Sequence, residues 1–341
     1  MSARTLGVAS LLPPWRVRNE VIGEAAISSE ADRIVWPAGR SFAFTIFDDT
    51  DCTFPGNYER VYDLLRDNGL RTTKSVWPLS GSSTPLIPGA TCEDPAYLRH
   101  LLELQRDGFE IGFHGTTYHS VDRAQIERGL DRFRDHFGAY PRTMANHSGL
   151  AENLYWGADR VSGVHKRAYN MLTLGRNRTA SFGHREESEH FWGDLCRDRI
   201  DYVRNFVGAN INTLAQFPKM PYHDRQRPYV NQWFSSSEGA GRDSFVRTIS
   251  EENQDRLEAE GGACIMYTHV AGGFQDQSGW VNEQFAHLIR RLSRKNGWFV
   301  PVSTLLDHVR RQRGDYVLTD SERSRMERRW LIHKILMGGT T

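Results

Sequence analysis

Ser41 to Asp51 reads S-F-A-F-T-I-F-D-D-T-D, an apolar run that ends on carboxylates. A continuous apolar and β-branched run such as Phe42 to Phe47 suits a strand covered on both faces. Parallel α/β architectures build their sites at the C-terminal ends of such strands, which is where Asp48 and Asp49 fall. Successive strand residues point in different directions. Two neighbouring acids there can therefore hold different jobs, one on a metal and one on a water. Asp-Asp alone fits a capped loop with two solvated acids better than a functional pair.

Phe109 to Ser120, F-E-I-G-F-H-G-T-T-Y-H-S, is a second short strand followed by His114 and His119. Imidazole and carboxylate are the usual ligands of a zinc-like ion, and catalytic sites typically use three protein ligands and keep a position open. One Asp and two His from neighbouring strand ends supply that set. A five-residue step does not place both histidines on one face of a regular helix, so they are expected on a loop or irregular turn. Gly262 to His269, G-A-C-I-M-Y-T-H, is a third apolar strand ending on a titratable group.

With these three segments in view the chain resembles the polysaccharide deacetylase superfamily, over roughly Ser41 to Val309. Phe47-Asp48-Asp49 is similar to that family's first motif, in which the first Asp is the catalytic base and the second binds the metal. His114 and His119 resemble its metal histidines, and Tyr267-Thr268-His269 its last motif, whose histidine is the general acid. The resemblance implies an α/β fold, a distorted (β/α)7-type barrel. It also implies a metal-dependent hydrolase of C–N amide bonds, acting on an N-acetylated sugar or sugar nucleotide. The expected roles are Asp48 and His269 as catalytic pair, Asp49, His114 and His119 on a divalent metal, Zn2+, and Asn146, His147 and Ser148 toward substrate. His119 is expected to reach the metal through a loop bulge rather than being replaced by His147, whose joining the metal site is left open.

Three departures from the family pattern stand out. The histidines are five apart rather than four. Ala145 occupies the position of the Arg that orients the catalytic Asp, followed by Asn146-His147-Ser148. No clear counterpart exists for the acid that supports the last histidine, for which Asp194 and Asp224 are the candidates. These changes keep two rivals open: hydrolysis of a non-sugar amide such as a cyclic imide or ureide, and a catalytically silent carbohydrate-binding relative.

With 341 residues the chain is long enough for a barrel of ordinary size. Its 43 Lys and Arg nearly cancel 42 Asp and Glu, which argues against a nucleic-acid surface. The expected partner is a small-molecule or oligosaccharide substrate, with a second copy of the chain as a further candidate. No run approaches a membrane span, and the N-terminus lacks an apolar core of signal length. Cys52, Cys92, Cys196 and Cys264 are scattered, as expected of reduced thiols in a cytoplasmic protein.

Residues 1–40 read as an arm laid over the barrel, 41–313 as the barrel and 314–341 as a helical tail. Within the barrel, weak periodicity over 149–234 suggests an insertion, whose aromatics either stack on sugar or pack locally. Helices are expected from Asn57 to Gly69, from Asp94 as N-cap to about Arg106, and from Val121 to Phe137. Pro78 to Asp94 reads as a long functional loop. Asp243 to Glu260, Asn282 to Arg294 and Ser303 to Arg311 read as the last barrel helices, with a strand at Trp298 to Val302. In the tail, Met326, Trp330, Ile332, Ile335 and Leu336 suggest an apolar stripe that docks on the barrel or on a second subunit.

Overall fold

The computed structural model describes residues 34–337 except 84, 86 and 176–180, so the expected arm over 1–33 lies outside the described residues. Strand β1 (Phe42–Asp48) is buried at every position, as its unbroken apolar run requires. It pairs in parallel with β7 (Ala263–Thr268) along its whole length, from Ala43↔Ala263 to Asp48↔Thr268. Its last two residues pair with β2 (Thr73–Val76) through Phe47↔Thr73 and Asp48↔Lys74. From β2 the ladder runs through β3 (Glu110–Phe113), β4 (Thr143–Met144), β5 (Tyr202–Gly208) and β6 (Gln232–Ser237) back to β7. Seven parallel strands therefore close into a barrel. β8 (Gly297–Phe299) attaches only to the first half of β1, and the β3–β4 and β6–β7 seams are single residue pairs, so the barrel is distorted as expected.

The helices follow their sequence signals closely. α1 (Glu59–Asp67) buries Val61, Tyr62 and Leu65, and α2 (Pro95–Arg106) is N-capped by the Asp94 side chain. α3 (Arg123–Phe137) starts on an Asp122–Gln125 capping box and ends on Gly138 at φ 83, a left-handed position that suits glycine. Two helices stand where one run was expected between Asp243 and Glu260. They are α7 (Arg242–Thr248) and α8 (Glu251–Glu260), separated by Ser250, which caps the second.

The stretch 149–234 is a correction. It does carry short helices, α4 (Gly163–Leu172), α5 (Gly193–Arg199) and α6 (Thr213–Gln216), but it also contains β5 and the start of β6. These strands carry Arg204, Asn205 and Gln232, and β6 closes on Ser235, Ser236 and Ser237, all buried. Polar side chains inside the barrel broke the apolar run that would have revealed them. The aromatics of this stretch pack locally: Trp192, Tyr222 and Trp233 are fully buried.

α9 (Glu283–Ser293) and α10 (Val302–Arg313) complete the ring, and α11 (Asp320–Met337) folds back onto β5 and α4. Trp330 lies 5.0 Å from Phe206 and 5.8 Å from Tyr169, ring centre to ring centre. Ile332 and Ile335 are exposed, so of the expected stripe Trp330 and Met326 pack on the core while these two do not. Buried charge holds the helix as well. Glu327, wholly buried, accepts from Arg227 Nη2 at 3.0 Å and from the Ser162 N–H at 2.9 Å, and Arg323 reaches Asp224 at 3.1 Å. Among the described residues no helix is long and apolar enough to cross a membrane.

Removing one partner of a buried ion pair strands the other charge. Glu327→Ala is therefore expected to lower stability by about 3–5 kcal/mol, read in thermal and denaturant unfolding. A loss no larger than that of an exposed substitution would show that the tail is not held by this network.

Candidate metal centre

Four strand ends meet at one mouth of the barrel. β1 runs on into Asp49 and Asp51, β3 into His114, β4 into His147 and β7 into His269. Gly115 at φ 96 turns the chain directly after His114. Cys52, a non-glycine residue at φ 57, sits directly after Asp51. Such a conformation costs on the order of 1 kcal/mol or more and persists only where surroundings enforce it. Here the Cys52 N–H is pinned to the Pro88 carbonyl at 2.7 Å, so the loop after β2 holds Asp51 in place.

Asp51 Oδ1 lies 3.1 Å from His114 Nε2 and 3.3 Å from His147 Nε2, while its Oδ2 lies 3.2 Å from His269 Nε2. Ligand atoms of Asp51, His114 and His147 all fall within 4.8 Å of one another, and both histidines are buried. His147 Nδ1 donates to the Ser148 carbonyl at 2.9 Å. A neutral ring then presents a lone pair at Nε2, and that buried atom has no hydrogen-bond partner. Burial, with His114 beside it, pushes His147 below its ordinary pKa, so the neutral form is favoured.

His114 faces a similar conflict. Its Nε2 looks at Asp51, and its unpartnered Nδ1 lies 3.8 Å from Asp49 Oδ1. A neutral imidazole has one N–H, so one of its two nitrogens turns a lone pair toward a carboxylate. A divalent cation between these groups removes both conflicts, and an Asp/His/His set is a normal donor set for zinc-like ions.

His269 donates from Nδ1 to the Ala240 carbonyl at 2.8 Å, which leaves Nε2 toward Asp51. Burial opposes its charge, but Asp51 and Asp49 outweigh that and push its pKa up to about 9. Burial likewise opposes ionisation of Asp51, yet the surrounding His114, His269 and His147 hold its carboxyl far below the usual range.

The expected residues fall on both sides of this picture. His114 and His269 reach the cluster, and so does His147. His119 does not: its Nε2 accepts from the Ser82 N–H at 2.7 Å and its Nδ1 donates to the Ser120 carbonyl at 3.0 Å, so both nitrogens are used. Asp48 is wholly buried, with Oδ2 accepting from Lys74 Nζ and Tyr62 OH, both at 2.8 Å, and Oδ1 from the Val270 N–H at 2.8 Å. It braces β1 against β2, α1 and the end of β7.

Asp49 is gripped at both oxygens by Arg204, at 2.9 and 2.6 Å. Arg204 stands on β5 and not at the position of Ala145, while the expected base Asp48 is held by Lys74. Asn146 spends its amide on Leu154, accepting its N–H and donating to its carbonyl, both at 3.0 Å, and Ser148 is exposed. Neither candidate acid supports His269: Asp194 pairs with Arg123, and Asp224 with Arg227 and Arg323. Asp51 and Arg204 were missed. Asp51 stands two residues past the acid pair, and Arg204 was marked only by a charge in the middle of Y-V-R-N-F-V-G.

No family model and no curated protein matches the chain. Solved structures do. A protein from Mycobacterium smegmatis described as a polysaccharide deacetylase shares 13% identity at a TM-score of 0.48, covering 84% of this chain and 96% of its own. An allantoinase shares 11% at 0.47, covering 82% and 94%. A variant of a peptidoglycan deacetylase from Bacillus subtilis shares 13% at 0.36, covering 89% and 100%. Polysaccharide deacetylases, the family that the motifs resemble, are thus among the structures similar in fold. At these identities and scores the likeness carries no chemistry with it.

Zinc-loaded protein is expected to hold about one ion per chain, with the ion lost in Asp51→Ala and His147→Ala and retained in His119→Ala. Elemental analysis after desalting decides it. Metal retained by His147→Ala and lost from His119→Ala would return the site to the five-residue histidine pair.

Proposed function

We propose that the chain is a metal-dependent hydrolase of C–N amide bonds, with an N-acetylated sugar or sugar nucleotide as substrate. The observation that carries this is the convergence of His114, His147 and Asp51 with an unpartnered His147 Nε2, beside an Arg-held Asp49 and a proton-bearing His269. A divalent ion bound there supplies Lewis-acid charge that polarises the acyl carbonyl and acidifies a water.

The protein's own groups do the rest. Arg204 uses one lone pair on each Asp49 oxygen, so each oxygen keeps another for the proton of the attacking water. Asp49 is accordingly assigned as general base and Asp48 as a buried brace. His269, protonated at Nε2 and held at Nδ1 by the Ala240 carbonyl, gives its proton to the departing amine, which leaves poorly as an anion. The pairing of a base with an acid across the metal ligands speaks against a silent binding module, which needs neither.

Released acetate or free amine, measured on N-acetylated sugars, sugar nucleotides and cyclic amides with zinc restored, tests the reading. Asp49→Asn and His269→Ala are expected to lose on the order of a hundredfold to ten-thousandfold in rate while keeping the fold. Asp48→Asn is expected to lower stability, because Lys74 is then buried beside a neutral group. A stable Asp48→Asn without activity, beside a fully active Asp49→Asn, would reverse the two assignments.

The pH profile follows from the same groups. His269 acts while protonated, so rate falls as pH rises through about 9, or lower once a cation sits beside it. His147 must be neutral, and burial keeps it so to lower pH, which places the acid limb below about pH 6. A rate still rising above pH 10 would exclude His269 as the acid.

A further inference from the structure

Among the described residues four arginines are buried, and three of them face acids: Arg204 meets Asp49, Arg227 meets Asp224 and Glu327, and Arg323 meets Asp224 and Asp320. Arg160 is the exception. It ends the single turn Gly157–Arg160 at 4% exposure, with its guanidinium carbon 3.3 Å from the centre of the Trp156 ring and 5.7 Å from that of Trp330. Among the described residues no carboxylate lies within salt-bridge distance of it, no hydrogen bond uses its side chain, and its Nε is buried without a partner. Aromatic faces hold a guanidinium well but do not neutralise it. A buried cation without a counter-charge is strongly unfavourable unless something else brings the anion.

The surroundings place this cation beside the site. Burial pushes its pKa down, the nearby phenols of Tyr169 and Tyr267 oppose that, and the Arg204 cation adds to it. Arg204 covers the Tyr267 ring at 4.3 Å, and that ring lies 5.2 Å from the His269 ring. A second cation comes from the tail: Lys334 on α11, 5.2 Å from the centre of the Trp330 ring, has its pKa pushed down to about 8 by burial and by Arg160. Glu238, just past β6, is the acid that opposes this shift at Lys334. Arg204 is already paired with Asp49, so among the described residues Arg160 is the buried guanidinium on this side that has no acid of its own, while the candidate metal ligands follow β1, β3 and β4.

We propose that Arg160, with Lys334 beside it, is a subsite for an anionic group of the substrate, a phosphate or a carboxylate. The inference rests on the amide-hydrolase reading for the word substrate, and it narrows that reading to an amide that carries a negative charge away from the scissile bond. Arg160 presents the planar fork that suits either oxyanion. Lys334 adds a point charge, and it ties the C-terminal helix to recognition.

Anion binding is measured first on the full-length His114→Ala chain, so that binding to the metal does not contribute. Inorganic phosphate and succinate are titrated by calorimetry. At least one is expected to bind, with affinity reduced about tenfold or more by adding Arg160→Gln and several-fold by adding Lys334→Gln. Arg160→Lys, which keeps the charge without the fork, is expected to fall between. Whichever anion binds more tightly identifies the source of the charge.

With zinc-loaded wild-type chain the second arm compares N-acetylglucosamine, its 1-phosphate and an N-acetylated amino acid. Arg160→Gln is expected to raise KM about tenfold for the anionic substrate and to leave the neutral sugar unchanged. Arg160-dependent anion binding without turnover of any amide would keep the subsite and remove the hydrolase reading. Equal anion affinity in the parent and in the Arg160→Gln and Lys334→Gln chains, or no binding of either anion, would overturn the proposal.

Discussion

Everything at the mouth of this barrel depends on how three acids within four residues are kept charged out of water. Burying a carboxylate is costly unless a cation or several donors answer it. Asp48 turns outward to Lys74 and Tyr62, and Asp49 turns inward to Arg204. That alternation follows from the strand itself, since neighbours on a pleat point to opposite sides. Asp51 comes after the strand has ended and, among the described residues, pairs with no Lys or Arg side chain, only with the imidazoles of His114, His147 and His269. The first two acids are thus satisfied within the fold. The third is answered by imidazoles alone, chiefly by His269, whose pKa it helps to raise.

The same logic explains what the sequence could and could not reveal. β1, β3 and β7 were legible because their side chains are apolar, and α2 and α3 because Asp94 and Asp122 cap them. β5 and β6 were hidden because the barrel interior needs Arg204 to hold Asp49, and a charged residue breaks the run by which a buried strand is recognised. His119 looked like a ligand by its distance from His114. Spacing does not report whether a ring nitrogen is already in use, and both of its nitrogens are. His147 was visible only as a residue out of pattern. The Ser148 carbonyl fixes its tautomer and leaves the Nε2 lone pair toward Asp51.

The missing arginine at Ala145 is the most instructive departure. It suggested a weakened or redirected site, and a cyclic amide was attractive for that reason. Arg204 restores a bidentate grip on a carboxylate from the next strand, β5, so the loss at one strand end is offset inside the barrel. The motif changed while the physical requirement, a fixed carboxylate beside the histidines, stayed in place. Support for a non-sugar substrate drawn from Ala145 alone therefore falls away.

The tail binds these observations together. α11 docks through Glu327 and Arg323, charges that an apolar stripe could not anticipate, and this docking sets the position of Trp330. Trp330 lies near three groups at once: Phe206 on β5 at 5.0 Å, the Arg160 guanidinium at 5.7 Å and the Lys334 ammonium at 5.2 Å. A single aromatic ring thus couples the barrel wall to both cations on that side of the mouth. Loosening the buried ion pairs under α11 would shift the ring, and with it the electrostatics that face Arg204 and Tyr267. The place of Trp330 between the barrel wall and the two cations therefore depends on the charge that α11 buries behind it.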